Sequence, residues 1–396
     1  QQAGFGLYGD FQGYPNSFVR DGESFADARY EGTLDEATDY AVRASLAEYR
    51  YFSEIGDPNP PGTLPLPGFL PAVGDWADTE ATVTHRFGAG NRLVFGTELR
   101  RDFRESASFS EATVAGPGLR ISNAENLFGF YAQSDVDWSD QWSTSLGLRD
   151  DIDDHVDHVD PRLAVIWKPT TRQAVKLVYG SAFREASAFE KYFAQPPSVL
   201  ADPLLAPERI RTLDLEYENH FTATSSFTAT AFRYRATDLI TDEVVDPTTG
   251  ATQYRNVGAA QARGVDLALE QQLPAQVDAH LNVSYVFAYD GSGNWAPNAP
   301  KWTGRLGIER KLGDTWRLGG EELVASQRLA IDDTPLAGYA LTNLTVSSRP
   351  QAGRVDCSFS LFNAFNRLYA APVAGWQGDR VDQLGRTWRL GLGYSF

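Results

Sequence analysis

The sequence predicts an all-β protein, a transmembrane antiparallel up-and-down β-barrel of about eighteen strands. Three observations predict it: apolar and polar residues alternate over many segments, connections alternate between short and long, and aromatic residues collect beside the short connections. The 396 residues are 42% hydrophobic and 12% aromatic, enough for a large fold. Mean hydropathy is only -0.35, and no stretch approaches the roughly 18 consecutive apolar residues that a spanning helix needs. If this chain crosses a bilayer, it does so as a closed barrel.

The alternation is plainest from Gln276 to Phe287. Val277, Ala279, Leu281, Val283, Tyr285 and Phe287 share one face, and Gln276, Asp278, His280, Asn282, Ser284 and Val286 the other, which is almost wholly polar. Leu213, Leu215 and Tyr217 alternate with Thr212, Asp214, Glu216 and Glu218 in the same way, as do Val265, Leu267 and Leu269 with Gly264, Asp266 and Glu270. A soluble sandwich also produces such faces, so the connections have to decide.

In chain order, short turns are expected at Leu34 to Thr38, Phe87 to Asn91, Trp138 to Trp142, Lys168 to Arg172, Phe221 to Ser226, Leu273 to Gln276, Leu312 to Thr315 and Arg349 to Gly353. Long Pro/Gly/Asp-rich segments come between them: Gly56 to Gly74, Glu185 to Pro207, Asp242 to Arg255, Asp290 to Pro300 and Ala371 to Arg386. Short turns on one rim and long loops on the other are the pattern of membrane barrels. The turns join about sixteen strands, and Gly4 to Gly9 and Thr387 to Phe396 bring the count to about eighteen. Phe87, Trp138, Trp142, Phe221, Phe227, Trp316 and Tyr394 crowd the short-turn side, as an interfacial girdle would.

The last strand places Trp388, Leu390, Leu392, Tyr394 and Phe396 on one face. Arg389, Gly391, Tyr394 and terminal Phe396 resemble the assembly signal by which outer-membrane barrels are captured by the insertion machinery, an exposed edge strand being open to pairing. Further segments follow in a fixed order: Asn126-Leu-Phe-Gly-Phe-Tyr-Ala-Gln133 with Leu146-Gly-Leu-Arg-Asp150, Pro161-Arg-Leu163 with Tyr179-Gly-Ser-Ala-Phe-Arg184, and Leu205-Ala-Pro-Glu208 before Thr212-Leu-Asp-Leu-Glu216. Asn256-Val-Gly258, Arg263-Gly-Val-Asp-Leu267 and Phe362-Asn-Ala-Phe-Asn-Arg-Leu-Tyr369 complete the series. Together they resemble the C-terminal barrel of TonB-dependent outer-membrane receptors.

The resemblance implies a bacterial outer-membrane location, outer-membrane lipid as surroundings, and uptake of a scarce nutrient, first a ferric siderophore or similar large chelate. It also implies an N-terminal plug domain contacting the TonB system and a barrel of 22 strands; here neither plug nor TonB box is visible, and about four strands are missing. The chain begins at Gln1 and contains no Met, so residues 1–396 are expected to be a single, N-terminally truncated barrel domain, reaching TonB only through a missing plug. A plugless barrel of this size would be a passive pore, the second reading; a secreted β-sandwich adhesin is the third.

Candidate ligand-binding residues are the loop aromatics Tyr192, Phe193, Trp295 and Trp376, which could stack on a chelate or pack the loops. Asp153, His155, His158 and Asp160, within the acidic run Asp150 to Asp160, could bind a divalent metal, against the alternative of a solvated loop. No catalytic residues and no cofactor are expected, and the chain is not expected to be an enzyme. Asp278, His280 and Ser284 share a polar row, but Ser284 lies roughly 13 Å along the strand from His280, too far for an activated nucleophile. A net charge of -17 without a basic stripe argues against nucleic acid, and the single Cys357 cannot form an internal disulfide.

Overall fold

The computed structural model describes residues 2–4, 18–55, 68–108, 110–111, 120–153, 157–194, 196–348, 354–372 and 380–395. Among these, eighteen strands make the antiparallel sheet. In chain order they are β1 (Gln2–Gly4), β2 (Phe18–Asp35), β3 (Thr38–Ile55), β4 (Gly68–Phe87), β5 (Asn91–Ser108), β6 (Arg120–Asp137), β7 (Trp142–Asp153), β8 (Asp157–Thr170) and β9 (Gln173–Arg184). Then follow β10 (Glu208–Thr222), β11 (Ser225–Asp246), β12 (Ala251–Leu273), β13 (Val277–Asp290), β14 (Trp302–Leu312), β15 (Trp316–Ala325), β16 (Tyr339–Ser348), β17 (Arg354–Phe362) and β18 (Thr387–Ser395). One helix of five residues, α1 (Ala188–Tyr192), interrupts the loop after β9. Among the described residues no helix is long and apolar enough to cross a membrane.

Each expected short turn separates two strands. At the first, the Asp35 carboxylate accepts from the Ala37 amide at 2.8 Å and the Thr38 hydroxyl at 3.0 Å, so the side chain caps the reversal. At the second, Gly88 and Gly90 take φ of 60° and 88°, which a residue with a Cβ adopts only under strain. Residues 349–353 of the last turn, residues 5–9 of the expected first strand and Phe396 lie outside the described residues.

Three expectations are corrected. Asp242 to Arg255 is mostly strand: β11 continues to Asp246, β12 begins at Ala251, and only a tight turn remains. β4 begins at Gly68, six residues inside the segment read as the loop Gly56 to Gly74. Asp150 to Asp153 and Asp157 to Asp160 are strand ends rather than loop, with only 154–156 between them outside the described residues. In all three the strict two-residue alternation of apolar and polar residues lapses, so strand there carries the composition of a loop.

The chain divides into two compact units, Gln1–Val165 with Val178–Arg211 and Ala236–Ala259, and Ile166–Leu177 with Thr212–Arg235 and Ala260–Phe396. In the first unit β2 through β7 pair in sequence; Tyr30 faces Val42 and Phe95 faces Ala132. In the second, β12 through β18 pair likewise, Val265 facing Tyr285 and Asp266 facing Ser284. Apolar residues meet apolar ones and polar meet polar, because a period of two fixes the register once one face is committed.

The exposed face is the apolar one. Leu215, Val265, Leu267, Ile308, Leu318 and Phe359 are all exposed, and on β18 Leu392 reaches 73%. The girdle residues Phe87, Trp138, Trp142, Phe221 and Trp316 are exposed too. A sandwich buries this face. Leaving each such side chain in water would forgo about 1.5–3 kcal/mol, so a surface of this extent calls for lipid. Among the described residues the buried apolar side chains are few, Ile121, Leu205, Phe232, Leu336 and Leu341 beside four alanines, while Asp151, His158 and Lys191 are almost wholly buried.

Candidate functional site

The polar face of each unit is an ion-paired wall. In the first, Arg149 on β7 donates to Glu98 on β5 at 2.7 Å and to Asp151 at 2.6 Å, and Asp151 is only 3% exposed. Gly129 on β6 lets the guanidinium lie across the sheet, since a Cβ there would overlap it. The Tyr131 hydroxyl donates to Glu80 at 2.7 Å, its ring lying over Gly96. In the second unit Lys176 bridges Glu216 and Glu218, each at 2.8 Å, and Arg305 donates to Glu321 at 2.6 Å while Asn343 donates to the same carboxylate. Most of these pairs are part-exposed and each contributes about 0–1 kcal/mol, so their chief effect is a wettable wall of alternating charge.

The row Asp278, His280, Ser284 belongs to this wall. Asp278 pairs with Lys311 at 3.3 Å, His280 lies against Gly307, and Ser284 faces Thr303. Nothing in that arrangement activates the serine.

The loop after β9 is strapped down. Ser187 caps α1 by accepting from the Glu190 amide, and Glu190 returns a carboxylate to the Ser187 amide at 2.8 Å, a capping box that fixes the chain's entry to the helix. Arg184 ties Glu190 to Glu208, at 2.9 and 2.7 Å. Farther along, Val199–Leu200 pairs in parallel with Thr252–Gln253 of β12, and Asn256 both accepts from the Ala206 amide and donates to the Ala206 carbonyl. From the helix itself Lys191, 2% exposed, donates to Glu125 at 3.0 Å. Burial pulls its ammonium down, but the Glu125 carboxylate outweighs that and holds it above its ordinary value. Burial and the neighbouring Asp153 carboxylate push Glu185 up to about 7. Nearby, Asn123 donates to Glu105 at 3.0 Å.

Of the aromatic candidates, Phe193 stacks on Phe189 at 4.4 Å, and Phe189 meets Tyr254 edge-on at 6.2 Å. Tyr192 sits beside Glu125; burial and that carboxylate raise its hydroxyl pKa. Trp295 donates to the Ala299 carbonyl at 2.7 Å with the Lys301 ammonium 4.7 Å over its ring. Trp376 lies outside the described residues. The structure therefore brings Tyr192 and Phe193 together on one strapped loop.

Of the metal candidates, His155 lies outside the described residues. His158 accepts from Arg209 at 3.1 Å and stacks on Phe183, Asp160 accepts from Ser181 at 2.6 Å, and Asp153 meets Glu185. Among the described residues no three His, Cys, Asp or Glu side chains gather as a metal site. In the assembly segment Arg389 lies over the Phe362 ring at 5.8 Å, Gly391 sits beside Ser358, and Tyr394 is exposed. The sequence reading missed Glu125, Glu185 and Lys191; the Ser187-x-x-Glu190 capping box was the one signal that this loop is ordered.

Residues 2–366 match the family model described as TonB dependent receptor-like, beta-barrel. No curated protein matches the chain. Among solved structures, the copper transporter OprC aligns with a TM-score of 0.77 at 16% identity, covering 96% of this chain and 66% of that one. The unliganded ferric citrate transporter FecA gives 0.76 at 14%, covering 95% and 62%. BauA, the ferric preacinetobactin receptor from Acinetobacter baumannii, gives 0.71 at 13%, covering 95% and 63%. At these identities the likeness shows the fold, an antiparallel β-barrel, and the chain spans about three fifths of the length of the first two structures it matches.

Proposed function

The chain belongs to the TonB-dependent receptor β-barrel family, and from that premise we propose that it is an outer-membrane receptor barrel for a scarce nutrient taken up as a large chelate, a ferric siderophore first. The observation that carries the reading is, in each unit, a charge-paired polar wall behind an exposed apolar face, with the loop after β9 strapped to β12 in the first unit. Such a wall stays wet and offers a bulky polar solute no apolar surface on which to stick. Neighbouring structures named for ferric preacinetobactin and ferric citrate support the chelate class.

In this reading residues 1–396 act as one barrel domain, Tyr192, Phe193, Trp295 and Trp376 belong to the ligand-facing loops, and β18 is the strand the insertion machinery grips. Phe193 and Trp295 pack within their loops and set loop shape, whereas Tyr192 carries a polar hydroxyl beside Glu125 and is the contact to test first. Energy would reach the barrel from TonB through a plug. The test is retention of radiolabelled iron by receptor-deficient cells carrying the chain in their outer membrane, offered as citrate, hydroxamate or catecholate chelates. Retention of one class, competed by the unlabelled chelate, is expected. No retention by an inserted barrel that passes a large steady current in a planar bilayer would overturn the receptor reading in favour of a passive pore.

A further inference from the structure

On the polar wall Arg149 and Arg305 are paired with carboxylates. The opposite, apolar face of the second unit differs. Arg233 on β11 and Arg263 on β12 are both exposed and, among the described residues, neither has a carboxylate within ion-pair distance. Together with Gln261, Phe287 and Tyr289 they line a depression of about 220 Å³. Arg263 lies 5.9 Å from the centre of the Phe287 ring, which holds the guanidinium without neutralising it. Arg235, two residues beyond Arg233, is exposed on the same face.

Position along the strand is decisive. Val265, Leu267 and Leu269 continue the face of Arg263 toward the short turn, with Tyr285, Val283 and Leu281 opposite them. From Arg263 to Leu273 at that turn is ten residues, roughly 33 Å of strand at about 3.3 Å each. With a barrel strand's tilt of about 35–45°, that is roughly 25 Å of height, the thickness of the apolar band. The arginines stand where that band ends on the long-loop side. A depression below the roughly 300 Å³ of small-molecule pockets suits a headgroup substituent better than a chelate.

We propose that Arg233 and Arg263, flanked by Phe287 and Tyr289, bind the phosphate of an anionic glycolipid in the outer leaflet. Guanidinium forks match phosphate oxygens, and the two rings give the sugar and acyl junction an apolar seat. The site rests on the membrane-barrel reading above. The test measures, by native mass spectrometry of the full chain released from detergent, retention of bisphosphorylated lipid A, dephosphorylated lipid A and phosphatidylglycerol, each with and without excess inorganic phosphate.

The wild type is expected to retain bisphosphorylated lipid A over the other two. Arg233→Gln with Arg263→Gln should lose about thirtyfold in affinity, and the matching pair of Lys substitutions should keep most of it. Displacement by inorganic phosphate alone would overturn the lipid assignment, as would equal retention of dephosphorylated lipid A. Equal retention by the double Gln variant in a chain that inserts normally would overturn the site and leave the receptor reading standing. A chain recovered only in the soluble fraction would overturn both.

Discussion

The strapped loop should loosen as pH rises, and Glu185 sets the size of the effect. Its carboxyl titrates at about 7 in the folded chain against an ordinary 4.5, because burial and then Asp153 disfavour its charge. The folded state therefore binds the proton more tightly than the opened loop does, so stability falls as pH climbs from about 4.5 to 7 and is level above. A shift of that size corresponds to about 3 kcal/mol, brought nearer 2 by solvent at its part-exposed edge. Lys191 keeps its charge through this window, since Glu125 holds its ammonium above the ordinary value. The reporters are two helix amides, Lys191 bonded to the Ser187 carbonyl at 3.0 Å and Phe193 bonded to the Phe189 carbonyl at 2.9 Å. Hydrogen exchange, corrected for intrinsic rates, should show their protection falling about thirtyfold between pH 5 and pH 8. Glu185→Gln should abolish the fall and leave the loop better protected at pH 8. A Glu185→Gln chain that loses protection as steeply as the wild type would refute the reasoning.

Other positions make separate demands. Gly264→Ala places a Cβ against the Tyr285 carbonyl and the Val286 Cα, and should cost about 1–3 kcal/mol in urea unfolding from detergent, whereas Gly22→Ala, with open space around it, should cost little. Leu267→Arg puts a charge in the exposed apolar band and should destabilise insertion into vesicles by about 2–4 kcal/mol, with Asp266→Asn near neutral on the same assay. Arg149→Gln strands the buried Asp151 carboxylate; a loss of about 3 kcal/mol is expected by thermal unfolding, and Asp151→Asn in the same chain should recover most of it.

The hairpins were legible because lipid on one side and water on the other impose a strict period of two; β13 and β18 read directly from Val277 and Thr387 onward. Legibility failed where that asymmetry ends. The upper parts of β11 and β12, through Asp242 and Arg255, lack a strict two-residue alternation and so carry loop composition although they are strand. The acidic run around Asp151 failed for a second reason: its burial depends on Arg149, two residues earlier, and on Glu98 from another strand, which no local pattern reveals. At the candidate site the aromatics of the loop after β9 were visible, but Lys191 and Glu125 are far apart in sequence and meet only because the capping box and the Asn256 clamp hold the loop.

The most direct test of the account is a scan of single cysteines along β13, from Asp278 to Tyr285, in a Cys357→Ser chain reconstituted in bilayers, each spin-labelled and exposed to a lipid-soluble and a water-soluble relaxant. The account predicts strict alternation, with 279, 281, 283 and 285 reached from lipid and 278, 280, 282 and 284 from water. Uniform access from water, or alternation of the opposite sense, would contradict it.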